Sequence, residues 1–70
     1  MLTLNKAIEQ VLRENHRPMT TSEIADIINS QHLYERGDKT PLKASQVSAR
    51  VHQYPLLLRR ENDKITLVNW

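Results

Sequence analysis

The chain has no cysteine and no phenylalanine, a single glycine, and only one Trp and two Tyr among its 70 residues. Without cysteine, neither a disulfide framework nor a thiolate zinc site is available. One glycine leaves no Gly-rich loop of the kind that cradles phosphates. No apolar run approaches the roughly 20 residues that span a bilayer, and the N-terminus lacks the charged region and apolar run of a secretory leader. His16, His32 and His52 lie far apart, without an HxxxH pairing or cysteine partners, so no metal site is expected. No Ser-His-acid constellation follows from the spacing either. A soluble intracellular domain without catalytic site or cofactor is the expectation, cytoplasmic in a bacterium or nuclear in a eukaryote.

What is present is aliphatic. Nine Leu, five Ile and four Val supply most of the 39% hydrophobic content. That suffices for one compact core, though not for a core with an enzyme-sized pocket beside it. The net charge of +2 is unevenly placed: residues 1–35 carry three basic and five acidic side chains, residues 36–70 seven basic and three acidic. A basic half attracts phosphate even when the whole chain is nearly neutral; an unevenly charged solvated surface is the plainer reading.

Leu4, Ala7, Ile8, Val11 and Leu12 form a helical stripe, with Glu9 and Arg13 paired i,i+4 on the outside. Thr3 is the expected N-cap, and Pro18 ends the helix near Asn15-His16. Thr20-Thr21-Ser22-Glu23 fits a capping box, with Met19 placed to staple Ile24. That second helix buries Ile24, Ile27 and Ile28, fades by Gln31 and shows an acidic outer face at Asp26. Leu33-Tyr34 is expected to return to the core as a very short strand. Tyr34 and Trp70 read as core or hairpin-covering residues. Gly37, in the polar loop 35–41, is the expected positive-φ position.

Residues 43–54 carry the functional signal. Ala44, Val47, Val51 and Tyr54 share one helix side, while Ser45, Ala49 and His52 centre the other, flanked by Gln46, Ser48 and Gln53. The outward side has small residues, hydrogen-bonding residues and no carboxylate, which suits the base edges of a DNA major groove. Pro55 stops the helix after Tyr54. Leu56–Arg60 and Lys64–Val68 then read as a β-hairpin around Glu61-Asn62-Asp63.

Three helices and a terminal hairpin are mainly α with a small β-hairpin, the order of a winged helix-turn-helix. The run Leu4-Asn5-Lys6-Ala7-Ile8 through Val11-Leu12, Pro18-Met19-Thr20 through Glu23-Ile24, and Ile28-Asn29 resembles the HARE-HTH family. So do Leu33-Tyr34-Glu35-Arg36, Thr40-Pro41 and Gln46-Val47-Ser48-Ala49-Arg50-Val51. This family of winged helices occurs beside restriction endonuclease domains, in additional-sex-combs-like chromatin proteins and in the RNA polymerase delta subunit. The resemblance implies a winged-helix fold and a DNA-binding role that includes sensing modified bases; the delta subunit shows that the fold also serves a protein partner. The family's hairpin usually has an aromatic in its first strand and a Gly in its turn, where this chain has Leu56-Leu57-Leu58 and Asn62-Asp63.

The expected function is therefore double-stranded DNA binding by a single domain over residues 1–70, read as the N-terminal module of a longer protein such as a restriction-type nuclease. Gln46, Ser48, Ala49, His52 and Gln53 would face the groove, with Ser45 reaching phosphate or base. Arg50, on the border of the apolar stripe, would either clamp a phosphate or pair with Asp26 or Glu23. Lys39 and Lys43 stand around the start of the third helix, where a helix N-terminus already favours phosphate. Arg59, Arg60 and Lys64 surround the wing, with Arg59 and Arg60 on opposite faces. The competing expectation is a protein adaptor, using Leu56-Leu57-Leu58 or the acidic outer face of the first two helices.

Overall fold

In a computed structural model, which describes residues 2–34 and 40–70, the chain folds as α1 (Leu4–Asn15), β1 (Met19–Thr20), α2 (Thr21–Gln31), α3 (Ala44–His52), β2 (Leu58–Glu61) and β3 (Lys64–Leu67). The strands form one antiparallel sheet in the order β1-β3-β2. The architecture is that of a winged helix-turn-helix, mainly helical as the sequence pattern predicts.

The α1 stripe is buried throughout: Leu4, Ala7, Ile8, Val11 and Leu12 all enter the core. Arg13 Nε donates to Glu9 Oε2 at 2.9 Å, the expected i,i+4 pair. Thr3 occupies the N-cap but its side chain makes no capping bond; its carbonyl accepts from Ala7 at 2.9 Å. Both α1 and α2 end on a histidine in the left-handed region, His16 at φ 53° and His32 at φ 54°. Histidine is among the residues enriched there, so two of the three histidines act as backbone punctuation.

At the start of α2 the capping box forms. Glu23 N–H donates to Thr20 Oγ1 at 3.1 Å, and Thr20 N–H donates to Glu23 Oε1 at 2.9 Å. Met19 and Ile24, the expected staple, are both fully buried. Met19-Thr20 also does something the sequence pattern does not disclose: it forms β1, pairing Met19 with Ile65 and Thr20 with Lys64. Two residues are too few for alternation to register, and Pro18 beside them is a signal for the helix boundary alone. The very short strand expected at Leu33-Tyr34 is absent. Leu33 instead donates to Ile28 O at 3.1 Å, closing α2, and accepts from Leu2 N–H at 3.3 Å.

α3 is shorter than its pattern. It stops at His52, and Gln53 and Tyr54 follow in a tighter turn, donating to Arg50 O and Val51 O at 3.0 and 3.2 Å. The hairpin is shorter too. Pro55-Leu56-Leu57 belongs to a turn in which Leu57 and Leu58 both donate to Tyr54 O, so β2 begins at Leu58 and not at Leu56. Glu61 pairs with Lys64, leaving Asn62-Asp63 as the turn, with Asn62 left-handed at φ 57°. Trp70, expected to cover the core or hairpin, is 47% exposed, whereas Tyr34 packs half-buried against the core. Gly37 and its expected positive φ lie outside the described residues.

Candidate nucleic-acid interface

The helix at the centre of the site is held by its apolar side, with Val47 and Val51 buried against the other two helices. Its start is fixed from a distance. Asn29, on α2, grips the backbone of Leu42 with both ends of its amide: Nδ2 donates to Leu42 O at 3.0 Å and Oδ1 accepts from Leu42 N–H at 2.9 Å. Leu42 is itself buried, so this clamp sets where α3 begins and how it leaves α2. The next turn is closed by Gln46, whose Oε1 accepts from Lys43 N–H at 2.9 Å. Lys43 is the N-cap residue, with its side chain exposed.

Around α3 the expected site residues divide. Ser45, Ala49, His52 and Gln53 are exposed together on its outward side, while Gln46, Ser48 and Arg50 are half-buried at its borders. On one flank lies the wing. Arg60, on the same face of β2 as the buried Leu58, reaches across and donates from Nη2 to Ser48 Oγ. His52, Arg59 and Arg60 line a cleft of about 250 Å³ between the end of α3 and β2, floored by Val51, Pro55 and Leu58. On the opposite flank, Gln46, Arg50 and Gln53 line a second cleft of about 200 Å³ together with Tyr34, Ala49 and the aliphatic pair Leu4 and Leu42.

The cations divide as well. Arg59 pairs with Glu61 on its own strand at 2.5 Å, as alternation predicts for residues two apart, and Arg60 is turned to α3. Arg17 joins Glu23 at 3.4 Å and Arg13 joins Glu9. Glu23 is thereby committed to Thr20 and Arg17, so the pairing of Arg50 with Glu23 does not form. The guanidinium of Arg50 and the ammonium groups of Lys43 and Lys64 make no ion pair among the described residues. Lys39 lies outside the described residues. The carboxyl of Glu23 is held below the usual glutamate range, first by the Thr20 backbone N–H and then, against the opposing effect of burial, by the Arg17 charge.

Sequence reasoning placed the outward face of α3 but missed three side-chain devices around it: the Asn29 clamp, the Gln46 cap and the Arg60–Ser48 tie. Gln46 three residues after Lys43 is a local signal that could have been found, since Gln at that position closes a capping box from its own side. The other two join residues 13 and 12 apart, and no spacing rule reports them.

Helix pair, third helix with an exposed outward side and β-hairpin define a winged helix-turn-helix. The HARE-HTH family model, which describes a helix-turn-helix domain of ASXL proteins and restriction endonucleases, matches residues 2–70. The chain belongs to that family of helix-turn-helix DNA-binding domains. No curated protein and no solved structure matches it. Among the described residues no helix is long and apolar enough to cross a membrane.

Proposed function

We propose that this domain binds double-stranded DNA by presenting the outward face of α3 to the major groove. The observation that carries the reading is the carboxylate-free surface formed by Ser45, Ala49, His52 and Gln53, bordered by Lys43 and Arg50, two cations without an ion pair among the described residues. Ala49 at its centre permits close approach, and the amide of Gln53 suits an adenine edge. Lys43 at the helix start, with the dipole of α3 behind it, favours a backbone phosphate. Lys39 would add to that contact. Ser45 serves phosphate or base, and Ser48 and Gln46 contribute only what their internal hydrogen bonds leave over. On the wing, Lys64 and the cleft of His52, Arg59 and Arg60 form a second, weaker phosphate contact, because Glu61 offsets Arg59.

A modified-base-sensing role, as one module of a restriction-type nuclease, is the finer form of this proposal, and it rests on family membership. Fluorescence anisotropy with short duplexes, plain and cytosine-modified, tests both levels. One phosphate contact from each of Lys39, Lys43 and Lys64 predicts affinity falling about 40-fold between about 50 and 200 mM salt. A preference for the modified duplex supports the sensing role, and absence of duplex binding at low salt overturns the reading as a whole.

A second reading, a protein-interaction adaptor, has one observation in its favour. Leu56 is 93% exposed, and Val68 and Trp70 are exposed as well. The apolar run proposed for that role is narrower than it looks in the sequence, since Leu58 is buried and Leu57 half-buried. A charge introduced at Leu56 would then abolish partner binding while leaving duplex affinity intact.

A further inference from the structure

The cleft on the α1 side of α3 has a chemistry of its own. Leu4 and Leu42 give it an aliphatic floor, both nearly fully buried. Tyr34 is the aromatic side chain among its lining residues, and Arg50, Gln46 and Gln53 stand around it. The polar groups are donors for the most part. Arg50 has five N–H groups and no ion pair among the described residues. Gln46 has committed its oxygen to Lys43 N–H, which leaves its NH2 to donate. Among the described residues no carboxylate lines the cleft.

Size narrows the occupant. At about 200 Å³ the cleft is smaller than the roughly 300–1,000 Å³ of a self-sufficient ligand site. A flat ring with an apolar face and an acceptor-bearing edge fits this combination: aromatic side chain, aliphatic floor, donor-rich rim. Phosphate alone would gain little from Leu4 and Leu42, and an aliphatic chain would leave Arg50 and the two amides unpaired.

We infer that this cleft is a nucleobase site, taking a base that presents carbonyl and ring-nitrogen acceptors. The base stacks on Tyr34 and receives hydrogen bonds from Arg50 and from the Gln46 and Gln53 amides. Guanine, with its O6 and N7 acceptors, matches a donor rim better than adenine does. The site shares Ala49 and Gln53 with the face of α3 proposed to read duplex DNA, and in that setting its natural occupant is a base outside the stack, from a bulge or mismatch, where unstacking costs least. That setting depends on the DNA-binding proposal; the base site itself does not.

Two arms separate the sources of the base. In the first, the ¹H–¹⁵N signals of the Gln46 and Gln53 side-chain amides are followed while guanosine is added, with ribose 5-phosphate as the control. In the second, a duplex carrying a single bulged guanine is compared with the fully paired duplex by anisotropy. The expected results are amide shifts with guanosine alone and about ten-fold tighter binding of the bulged duplex. Tyr34→Leu, which keeps apolar bulk over the core, should erase both, and Arg50→Gln should weaken both, while affinity for the paired duplex in Tyr34→Leu stays unchanged. Amide shifts without bulge preference assign the site to free nucleosides. No shift together with no bulge preference, or effects that survive both substitutions, overturns the proposal. Failure to bind the paired duplex counts against the DNA reading and leaves the guanosine arm standing.

Discussion

The starts of α2 and α3 solve one problem in two ways. Every helix begins with backbone N–H groups that lack partners within the helix. At α2 the solution is local: Thr20 and Glu23, three residues apart, satisfy each other's backbone, and Arg17 supports Glu23 from six residues away. At α3 the local part is half a box. Gln46 caps Lys43 N–H, but Lys43 has no side-chain acceptor to return the bond. Position is supplied instead by Asn29, from the neighbouring helix, through two hydrogen bonds to Leu42. The bracing helix is thus started by its own sequence, and the helix that faces outward is placed by its brace.

This contrast can be broken by substitution. Asn29→Ala should be the most damaging, because it strands a partly buried N–H and C=O of Leu42; about 3 kcal/mol is expected. In thermal unfolding that is a loss of at least about 12 °C for a domain of this size. Asn29→Asp keeps the acceptor for Leu42 N–H but sets a carboxylate against Leu42 O, so it should rescue little. Thr20→Ala removes one side of the α2 box and should cost about 1 kcal/mol, seen as a lower denaturant midpoint with unchanged slope. Gln46→Ala removes the half box at α3 and should cost about 0.5 kcal/mol, because the Asn29 clamp remains. If Gln46→Ala proved worse than Asn29→Ala, α3 would be locally started after all.

Acid should act on the α2 device alone. The folded-state pKa of Glu23 lies below its unfolded value, so its contribution to stability is present above the unfolded glutamate range. It is lost as pH falls through the folded pKa. Glu23→Gln should therefore be less stable than the natural chain at neutral pH, with the gap closing as the medium is acidified. Equal stability of the two chains at neutral pH would remove Glu23 from the account.

The same division explains what could be read from the residues. The stripe Leu4-Ala7-Ile8-Val11-Leu12 and the Thr20–Glu23 box are local periodicities, and both form as the pattern predicts. β1 was hidden because Met19-Thr20 becomes a strand only when Ile65 and Lys64 arrive beside it. The hairpin began two residues later than its apolar run because Tyr54 O captures the N–H groups of Leu57 and Leu58. For the candidate site, periodicity identified which side of α3 faces outward. It could not report which cations were already engaged: Arg59 with Glu61 and Arg60 with Ser48, against Arg50 and Lys43 without ion pairs among the described residues.

The salt dependence of duplex binding in single variants tests most directly whether α3 meets DNA. Lys43→Ala should lower the slope of log affinity against log salt by about 1, as expected when one phosphate contact is lost. Arg13→Ala, which removes a cation already paired with Glu9 on α1, should leave the slope unchanged. If Arg13→Ala changed the slope as much as Lys43→Ala, binding would follow overall charge, and α3 would not be the surface that meets DNA.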